Sequence, residues 1–175
     1  LFFPDTYYSA RGYSQLSMLS RAYQAMEAKL ANSWARRKPG SPLAGPYEAL
    51  ILASIIEKES GVDEERARIS GVLTNRLRQN MPLQVDPTVI YGLGPGFDGN
   101  LRSDHLKKEG PYNTYRRSGL PPTPISNPGL KSLQAAVRPA ETKEMFFVAR
   151  GDGRHEFSKT LEEHHRAVRR HQIRR

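Results

Sequence analysis

The amino-acid sequence predicts an α+β fold, with one mostly helical domain, a small antiparallel β-hairpin and a central region rich in proline and glycine. Three observations lead to this prediction. Apolar residues recur at helical spacing through most of the chain, one strand–turn–strand pattern stands near the C-terminus, and prolines and glycines cluster between residues 80 and 130. A length of 175 residues suits one domain with a packed core, so residues 1–175 are assigned to a single domain.

Two helices are predicted in the first sixty residues. Residues 14–37 carry an apolar stripe that starts at Leu16, with Ser14 or Ser17 as the N-terminal cap. The segment from Tyr47 to Ser60 is apolar on most of its circumference. This pattern predicts a central helix that is buried on most sides.

A third helix is predicted next, and the chain then becomes irregular. Gly61 is expected in the left-handed position that ends the second helix, and Asp63 is expected to cap the third, which fades near Asn80. Asp86 is placed to cap a short helix that begins at Pro87, because proline suits the first helical turn.

The last third of the chain predicts a stiff loop, two helices and the hairpin. Four prolines restrict residues 119–129 to an extended loop, and Leu130–Val137 follows as a short helix. Met145–Ala149 and Arg154–Phe157 are the predicted strands, joined by a glycine turn. Thr160–Arg170 is the last predicted helix.

The chain is strongly basic, with a formal net charge of +9 that attracts polyanions such as nucleic acid, anionic lipid or an acidic wall polymer. Much of this charge lies in the C-terminal run "HHRAVRRHQIRR", which we interpret as a solvated basic end. A second hypothesis is salt-sensitive attraction of this end to anionic lipid or wall. The spacing of His164, His165 and His171 matches no known metal motif, so no metal site is predicted.

Several classes of protein are excluded by composition. The absence of cysteine excludes disulfides and thiolate metal sites. No apolar run approaches the roughly 20 residues that a membrane-spanning helix needs. The opening "LFFPDTYYSA" has no basic region of the kind that begins a signal peptide, so we expect it to be an internal segment of a longer protein.

Two glutamates end the central helix, and the helical rotation of about 100° per residue separates their surroundings. Glu57 faces Leu50, Ala53 and Ser54, which together form a smaller and more polar surface than the one beside Glu59. Glu59 instead follows the large aliphatic stripe formed by Leu52, Ile55 and Ile56. Desolvation there would raise the pKa of Glu59 and keep it protonated near neutrality, as a general acid requires. The alternative is a surface Glu59 that pairs with Arg66 or Arg68, beside an exposed Glu57.

Three long segments agree in order and spacing with one known family. They are residues 52–93 with "SIIEKESGVDEE", 110–140 with "YNTYRRSGLPPTPISNPG" and 146–168 with "ARGDGRHEFS". The sequence closely resembles the endolytic murein transglycosylase family, also called MltG or YceG-like. The resemblance implies a fold that is partly lysozyme-like around the glutamate helix.

The resemblance also implies an activity. Family members cleave the β-1,4 bond between N-acetylmuramic acid and N-acetylglucosamine in nascent peptidoglycan and leave 1,6-anhydromuramic acid ends. The catalytic glutamate of the family, the second in its "EKE" triplet, corresponds to Glu59. No cofactor or metal is implied. Glycan strands are the expected substrate and peptidoglycan synthases are candidate partners. The family's membrane anchor and LysM-like domain precede the core, so we expect a catalytic domain at the periplasmic face of the inner membrane.

Further residues are expected to line a substrate groove. Those assigned to substrate binding are Gln84, Asp86, Tyr112, Asn113, Thr114 and Tyr115. The alternative for Asp86 is an N-terminal cap for Thr88 and Val89, and the alternative for the tyrosines is packing. Residues 119–122 are expected to form a rigid wall of the cleft. Arg76 and Arg78 are expected to be solvated, with contacts to peptide-stem carboxylates as the alternative.

Three other functions remain open from the sequence. One is a muramidase that uses water and pairs Glu59 with Asp86 or Asp63. Another is a basic nucleic-acid-binding module, although the chain has no helix-turn-helix, RNP-like or zinc signature, and nucleic acid is therefore not an expected partner. The third is a peptidoglycan scaffold without catalysis.

Overall fold

The structure is a computed structural model that describes residues 1–12 and 14–172, and it confirms the α+β prediction. Two antiparallel strands accompany seven helices in the described part of the chain. The helices are α1 (Gln15–Ala35), α2 (Pro46–Glu59), α3 (Arg66–Arg78), α4 (Asp86–Leu93), α5 (Ser103–Lys107), α6 (Leu130–Val137) and α7 (Leu161–His171). The strands are β1 (Phe146–Ala149) and β2 (His155–Ser158). None of the described helices is long and apolar enough to cross a membrane.

Helix α2 forms the centre of the fold, as its all-round apolar pattern predicts. Its residues from Ala49 to Ile56 are all buried, and the helix packs against α1, α3, α4 and α6. Leu52, Ile55 and Ile56 have no exposed surface. Burial of such aliphatic side chains is the main stabilising term for a domain of this size. The glutamates at the end of α2 therefore project from a rigid, fully packed element.

The hairpin and α7 form a second layer. Strands β1 and β2 pair antiparallel with Phe147 opposite Phe157. Helix α7 packs on both strands through the fully buried Ala167. Thr160 caps α7 reciprocally with Glu163, since each side chain accepts a hydrogen bond from the other residue's backbone N–H.

The proline-rich loop is irregular, as predicted, and it is fastened to α2. The backbone N–H of Ile125 donates to the Ser54 hydroxyl at 2.9 Å, and the Ser126 hydroxyl donates to the Ser54 carbonyl at 3.0 Å. Because Ser54 is fully buried, these bonds satisfy groups that could not reach water. The loop is thereby held against the central helix.

Two predicted helix ends are wrong. Asp63 is not a cap, because residues Asp63–Glu65 form a 3₁₀ turn whose preceding residue is Val62, and the Asp63 carboxylate pairs with Arg66 and Lys131. Gly61 is not in the left-handed region, and α2 ends instead on an extended Ser60. A Cβ atom at Gly61 would lie 3.0 Å from the carbonyl oxygen of Gly153 in the hairpin turn, so close packing explains this glycine.

The basic C-terminal end is partly paired. Glu156 on β2 accepts hydrogen bonds from Arg170 at 2.9 Å and from the His171 ring at 2.6 Å. Residues 173–175, which include two of the arginines of the predicted basic end, lie outside the described residues.

Candidate active site

A cavity of about 550 Å³ lies beside the C-terminal end of α2, between the helical layer and the hairpin layer. One side carries polar residues from the core elements: Glu59, Arg76, Gln84, Asp86 and Tyr115. The opposite side is formed by β1, His155 and one face of α7. Its volume is in the range of small-ligand pockets, so it can hold sugar residues of a larger chain.

Glu59 is the last residue of α2 and is partly exposed in this cavity. Burial, and secondly the negative charge of Asp86, raise the pKa of Glu59 from 4.5 to about 8. The negative end of the α2 dipole acts in the same direction. The alternative of a surface pair is not supported, because Arg66 pairs with Asp63 and Glu57, and Arg68 pairs with Glu144. Glu59 therefore holds its proton at neutral pH.

Glu57 has a different environment, toward α6. Its Oε2 atom accepts hydrogen bonds from the backbone N–H of Gly129 at 3.0 Å and from the Ser132 hydroxyl at 2.7 Å. The Arg66 guanidinium lies 3.5 Å from the same oxygen. Glu57 is thus a structural ligand of the start of α6 and does not line the Glu59 cavity.

Asp86 and Tyr115 form a hydrogen-bonded pair in the cavity. The Tyr115 hydroxyl donates to Asp86 Oδ1 at 2.5 Å. Burial, followed by this bond and the charge of Asp86, raises the pKa of Tyr115, so the phenol keeps its proton and can act as a donor. The capping interpretation of Asp86 is wrong, because Asp86 is the first residue of α4 and makes no capping hydrogen bond.

Gln84 is exposed at the cavity and has a strained backbone, with a φ of +53°. Its conformation is held by two bonds: the backbone N–H donates to the Thr114 carbonyl at 3.0 Å, and Oε1 accepts from Arg76 at 2.9 Å. Backbone strain at a residue that borders a cavity is typical of functional sites.

Asn113 and Thr114 do not line the Glu59 cavity and instead border a separate cavity of about 230 Å³. The Asn113 amide is buried, and it donates to the carbonyls of His105, Leu106 and Lys108 at 3.3, 3.0 and 2.7 Å. Its Oδ1 atom accepts from the Tyr115 N–H at 3.0 Å. The Thr114 hydroxyl is buried against Thr88 at 2.8 Å and accepts from the Val85 N–H. These bonds position Tyr115 and the start of α4, and substrate contact by Asn113 and Thr114 stays a prediction.

Two further groove expectations change in the structure. Tyr112 packs against Tyr91, with ring centroids 4.9 Å apart, and its hydroxyl lies 2.7 Å from that of Thr123. These contacts agree with the packing alternative, and Tyr112 does not border the Glu59 cavity, so its role in substrate binding stays a prediction. Residues 119–122, expected to wall this cleft, border a separate cavity of about 230 Å³.

Arg76 was expected to be solvated, and this is wrong. Only 6% of the residue is exposed, and its guanidinium reaches from α3 into the wall of the Glu59 cavity. The sequence did contain a signal, because Arg76 continues the stripe of Ile69, Val72 and Leu73, all of which are fully buried. Arg78 is exposed, as expected, and donates to the Gly40 carbonyl.

The hairpin is fixed beside Glu59 by two contacts. Gly61, two residues after Glu59, packs against the carbonyl of Gly153 in the hairpin turn. Glu65 accepts hydrogen bonds from the backbone N–H of His155 at 3.1 Å and from its Nδ1 at 2.9 Å. No pattern in the sequence indicates a role for His155, but this pairing places its ring in the cavity wall.

The cavity face of α7 was also missed. Its lining residues are Leu161, His164, His165, Val168 and Gln172, a single helical face. The spacing i, i+3, i+4, i+7 was visible in the sequence. Nothing in the sequence indicated that this face lies opposite Glu59, because α7 reaches the cavity by packing on the hairpin.

Known proteins resemble this chain both in sequence and in structure. A family model described as the YceG-like family matches residues 1–170. An endolytic murein transglycosylase of Bacillus subtilis (strain 168) is 44% identical over 121 residues, covering 69% of this chain and 33% of that protein. One from Streptococcus pneumoniae (strain D39) is 30% identical over 174 residues, covering 97% of this chain and 31% of that protein.

A solved structure is also similar. The crystal structure of a YceG-like protein from Listeria monocytogenes superimposes with a TM-score of 0.79 at 36% identity, covering 94% of this chain and 53% of that one. The present chain spans about a third of the length of the curated relatives that it matches.

Proposed function

Because the chain belongs to the YceG-like family, we propose that it is the catalytic domain of an endolytic murein transglycosylase, with Glu59 as the catalytic residue. The substrate would be the glycan strand of peptidoglycan. The bond cleaved would be the β-1,4 linkage between N-acetylmuramic acid and N-acetylglucosamine, and the product would carry a 1,6-anhydromuramic acid end.

The observation that carries this proposal is a carboxyl group that keeps its proton inside a cavity. A general acid must be protonated at the working pH, and a pKa of about 8 for Glu59 satisfies that condition at neutrality. The cavity around it is large enough for sugar units and is bordered by hydroxyl and amide groups that can bind them.

The reaction needs one acid that becomes a base. Glu59 donates its proton to the glycosidic oxygen, which leaves as the C4 hydroxyl of N-acetylglucosamine, while positive charge develops at C1 of the muramic acid. The resulting Glu59 carboxylate then accepts the proton of the C6 hydroxyl of that same sugar, and the C6 oxygen bonds to C1. Since this nucleophile is held within the substrate, neither water nor a second catalytic carboxylate is required.

Asp86 supports both halves of this reaction through its charge. Before cleavage, its negative charge helps to keep the proton on Glu59. During cleavage, the same charge lies in the cavity where the sugar becomes positive, and it favours that state. The hydrogen bond from Tyr115 fixes the orientation of the carboxylate.

A muramidase that uses water remains the second candidate, since Asp86 shares the cavity with Glu59. Asp63, the other carboxylate considered for that role, lies outside the cavity and is paired with Arg66 and Lys131. The two reactions give different products, because hydrolysis leaves a reducing end and transglycosylation leaves an anhydro end.

The test is product analysis by mass spectrometry after digestion of purified sacculi and of nascent glycan. We expect anhydro ends with the wild-type chain, and a loss of at least about 100-fold with Glu59→Gln, the scale of a missing general acid. The substitution should leave fold and glycan affinity nearly intact. Reducing ends would support the muramidase, and undiminished cleavage by Glu59→Gln would rule out the assignment of Glu59.

The cellular context is a further part of the proposal. Similarity to murein-processing proteins supports action outside the cytoplasm. We propose that the full-length protein is anchored at the periplasmic face of the inner membrane and acts beside peptidoglycan synthases. Fractionation and co-purification of the full-length protein would test both points.

A further inference from the structure

Arg76 is a buried cation without an anionic partner among the described residues. Its hydrogen-bond acceptors are all neutral, namely the carbonyls of Met145 (2.6 Å), Pro82 (3.0 Å) and Leu83 (3.0 Å), and Gln84 Oε1 (2.9 Å). Only Nε and Nη1 take part in these bonds, and Nη2 makes none within residues 14–172. A charge withdrawn from water is costly unless an opposite charge compensates it. The guanidinium therefore has both a free donor group and an uncompensated charge at the cavity wall.

His164 approaches the same place from α7. Its ring stacks on Phe146 at 5.2 Å, and the guanidinium carbon of Arg76 lies 4.9 Å from the centroid of that same ring. Nδ1 of His164 is buried and has no hydrogen-bond partner in the described part of the chain. A buried N–H without an acceptor is less tolerable than an unfilled lone pair, so the ring proton belongs on Nε2.

Burial and the positive charges around His164 favour the neutral form of its ring. Burial, then the charge of Arg76 and then that of His165, lower the pKa of His164. The imidazole is thus a neutral hydrogen-bond donor at neutral pH, placed next to a permanent cation. Two donors from different elements, Arg76 on α3 and His164 on α7, therefore both contact Phe146 and line the cavity.

We propose that Arg76 and His164 form a carboxylate-binding subsite in the Glu59 cavity, which takes a free carboxylate of the peptide carried by the glycan strand. This inference rests on the proposed function, because it takes the glycan to be peptidoglycan, whose peptide stems carry carboxylates. A carboxylate can accept hydrogen bonds from Nη2 of Arg76 and from His164, and it supplies the charge that the buried guanidinium lacks. A neutral sugar hydroxyl would satisfy the donors but leave that charge uncompensated.

The two carboxylates of the protein in this cavity do not fill that role. Glu59 is protonated at neutral pH and so carries no charge to offer. Asp86 accepts its hydrogen bond from Tyr115, and none of the hydrogen bonds that Arg76 makes in the described part of the chain goes to Asp86. The subsite is therefore specific for a carboxylate brought by the ligand, and it would align the muramic acid relative to Glu59.

The test measures equilibrium binding on a Glu59→Gln background, which prevents cleavage. The probes are short glycan strands with peptide stems whose carboxylates are either free or converted to amides. A charge-assisted hydrogen-bond pair predicts a preference of roughly tenfold or more for free carboxylates. Adding Arg76→Met or His164→Phe should reduce this preference, the first nearly to unity, and Arg76→Lys should keep part of it.

Arg78→Met is the matched control, since Arg78 is on the same helix but exposed and outside the cavity. It should leave the preference unchanged. Arg76 also holds the loop at Pro82–Gln84, so circular dichroism and the thermal midpoint are measured for each variant. If Arg76→Met does not fold, His164→Phe and Arg76→Lys decide the question, because they retain the aromatic stack and the buried charge respectively.

The inference is overturned if the Glu59→Gln chain binds both probes equally, if the preference survives Arg76→Met, or if it is undiminished in both Arg76→Lys and His164→Phe. Its failure is separable from failure of the proposed function. If anhydro ends are released normally but no carboxylate preference is found, the transglycosylase activity is supported and the subsite is rejected. If a preference depends on Arg76 but the wild-type chain does not cleave glycan, the subsite is supported and the proposed activity is rejected.

Discussion

Asp86 and Glu59 line one cavity, and the negative charge of Asp86 adds to burial in raising the pKa of Glu59 to about 8. The two carboxyl groups come from different elements, since Glu59 ends α2 and Asp86 begins α4. The two groups have different roles. Glu59 stays protonated as the acid, while Asp86 carries the charge and accepts a hydrogen bond from Tyr115.

The first prediction concerns the pH dependence of activity in Asp86→Asn. In the wild type, kcat/KM should fall as pH rises through about 8, because Glu59 then loses the proton that it must donate. Removing the charge of Asp86 removes one of the two causes of the raised pKa of Glu59. The basic limb of the pH profile, in which kcat/KM falls, should therefore move to lower pH. Burial, the larger cause, remains, and the limb should therefore stay well above pH 4.5. An unchanged limb would contradict coupling between these groups.

The second prediction concerns the stability of Glu59→Gln. Below about pH 4.5 the wild-type carboxyl is protonated in both folded and unfolded chains, so the two proteins should have similar free energies of unfolding. Between pH 4.5 and 8 only the unfolded wild-type chain ionises, which destabilises the wild type by on the order of 3 kcal/mol at pH 7. Glu59→Gln should therefore be the more stable protein at pH 7. Urea unfolding at pH 4 and pH 7 measures the difference, and a mutant that is no more stable at pH 7 would contradict the buried, protonated state.

The third prediction concerns Glu57, the glutamate two residues before Glu59. Glu57→Gln should retain most of the cleavage activity, because Glu57 faces α6 and not the cavity. It should lose about 1 kcal/mol of stability, since the ion pair with Arg66 is removed while the amide oxygen can still accept from Ser132. Thermal unfolding and product analysis on the same preparation measure both effects. Loss of cleavage in this variant with cleavage retained in Glu59→Gln would reverse the assignment of the two residues.

The fourth prediction concerns Asn113→Ala. The buried amide makes four hydrogen bonds to the backbone, so its loss should cost about 2–4 kcal/mol of stability. Activity should fall mainly because Tyr115 is misplaced, since its backbone N–H donates a hydrogen bond to Oδ1 of Asn113. Even where the mutant is fully folded, kcat should therefore stay below the wild-type value, with KM little changed. A large rise in KM in a stably folded mutant would instead indicate direct substrate contact.

Much of this protein was predictable from local sequence pattern. The central helix, the hairpin and the capped final helix follow from apolar periodicity and turn residues, which act over a few neighbours and do not depend on the rest of the fold. The different surroundings of Glu57 and Glu59 follow in the same way, because rotation along one helix is set by its own geometry.

Contacts between distant segments were decided only by the tertiary structure. Gly61 packs against Gly153, Tyr115 donates to Asp86, and the α7 face lines the cavity opposite Glu59. The members of each pair lie far apart in the sequence, so no local pattern predicts their contact. The polar side chain of Asn113 looks ligand-binding in sequence, and only packing determines that it is buried. The sequence by itself thus determined which groups could do the chemistry, whereas burial and long-range approach decided which of them share a cavity and which carry a proton.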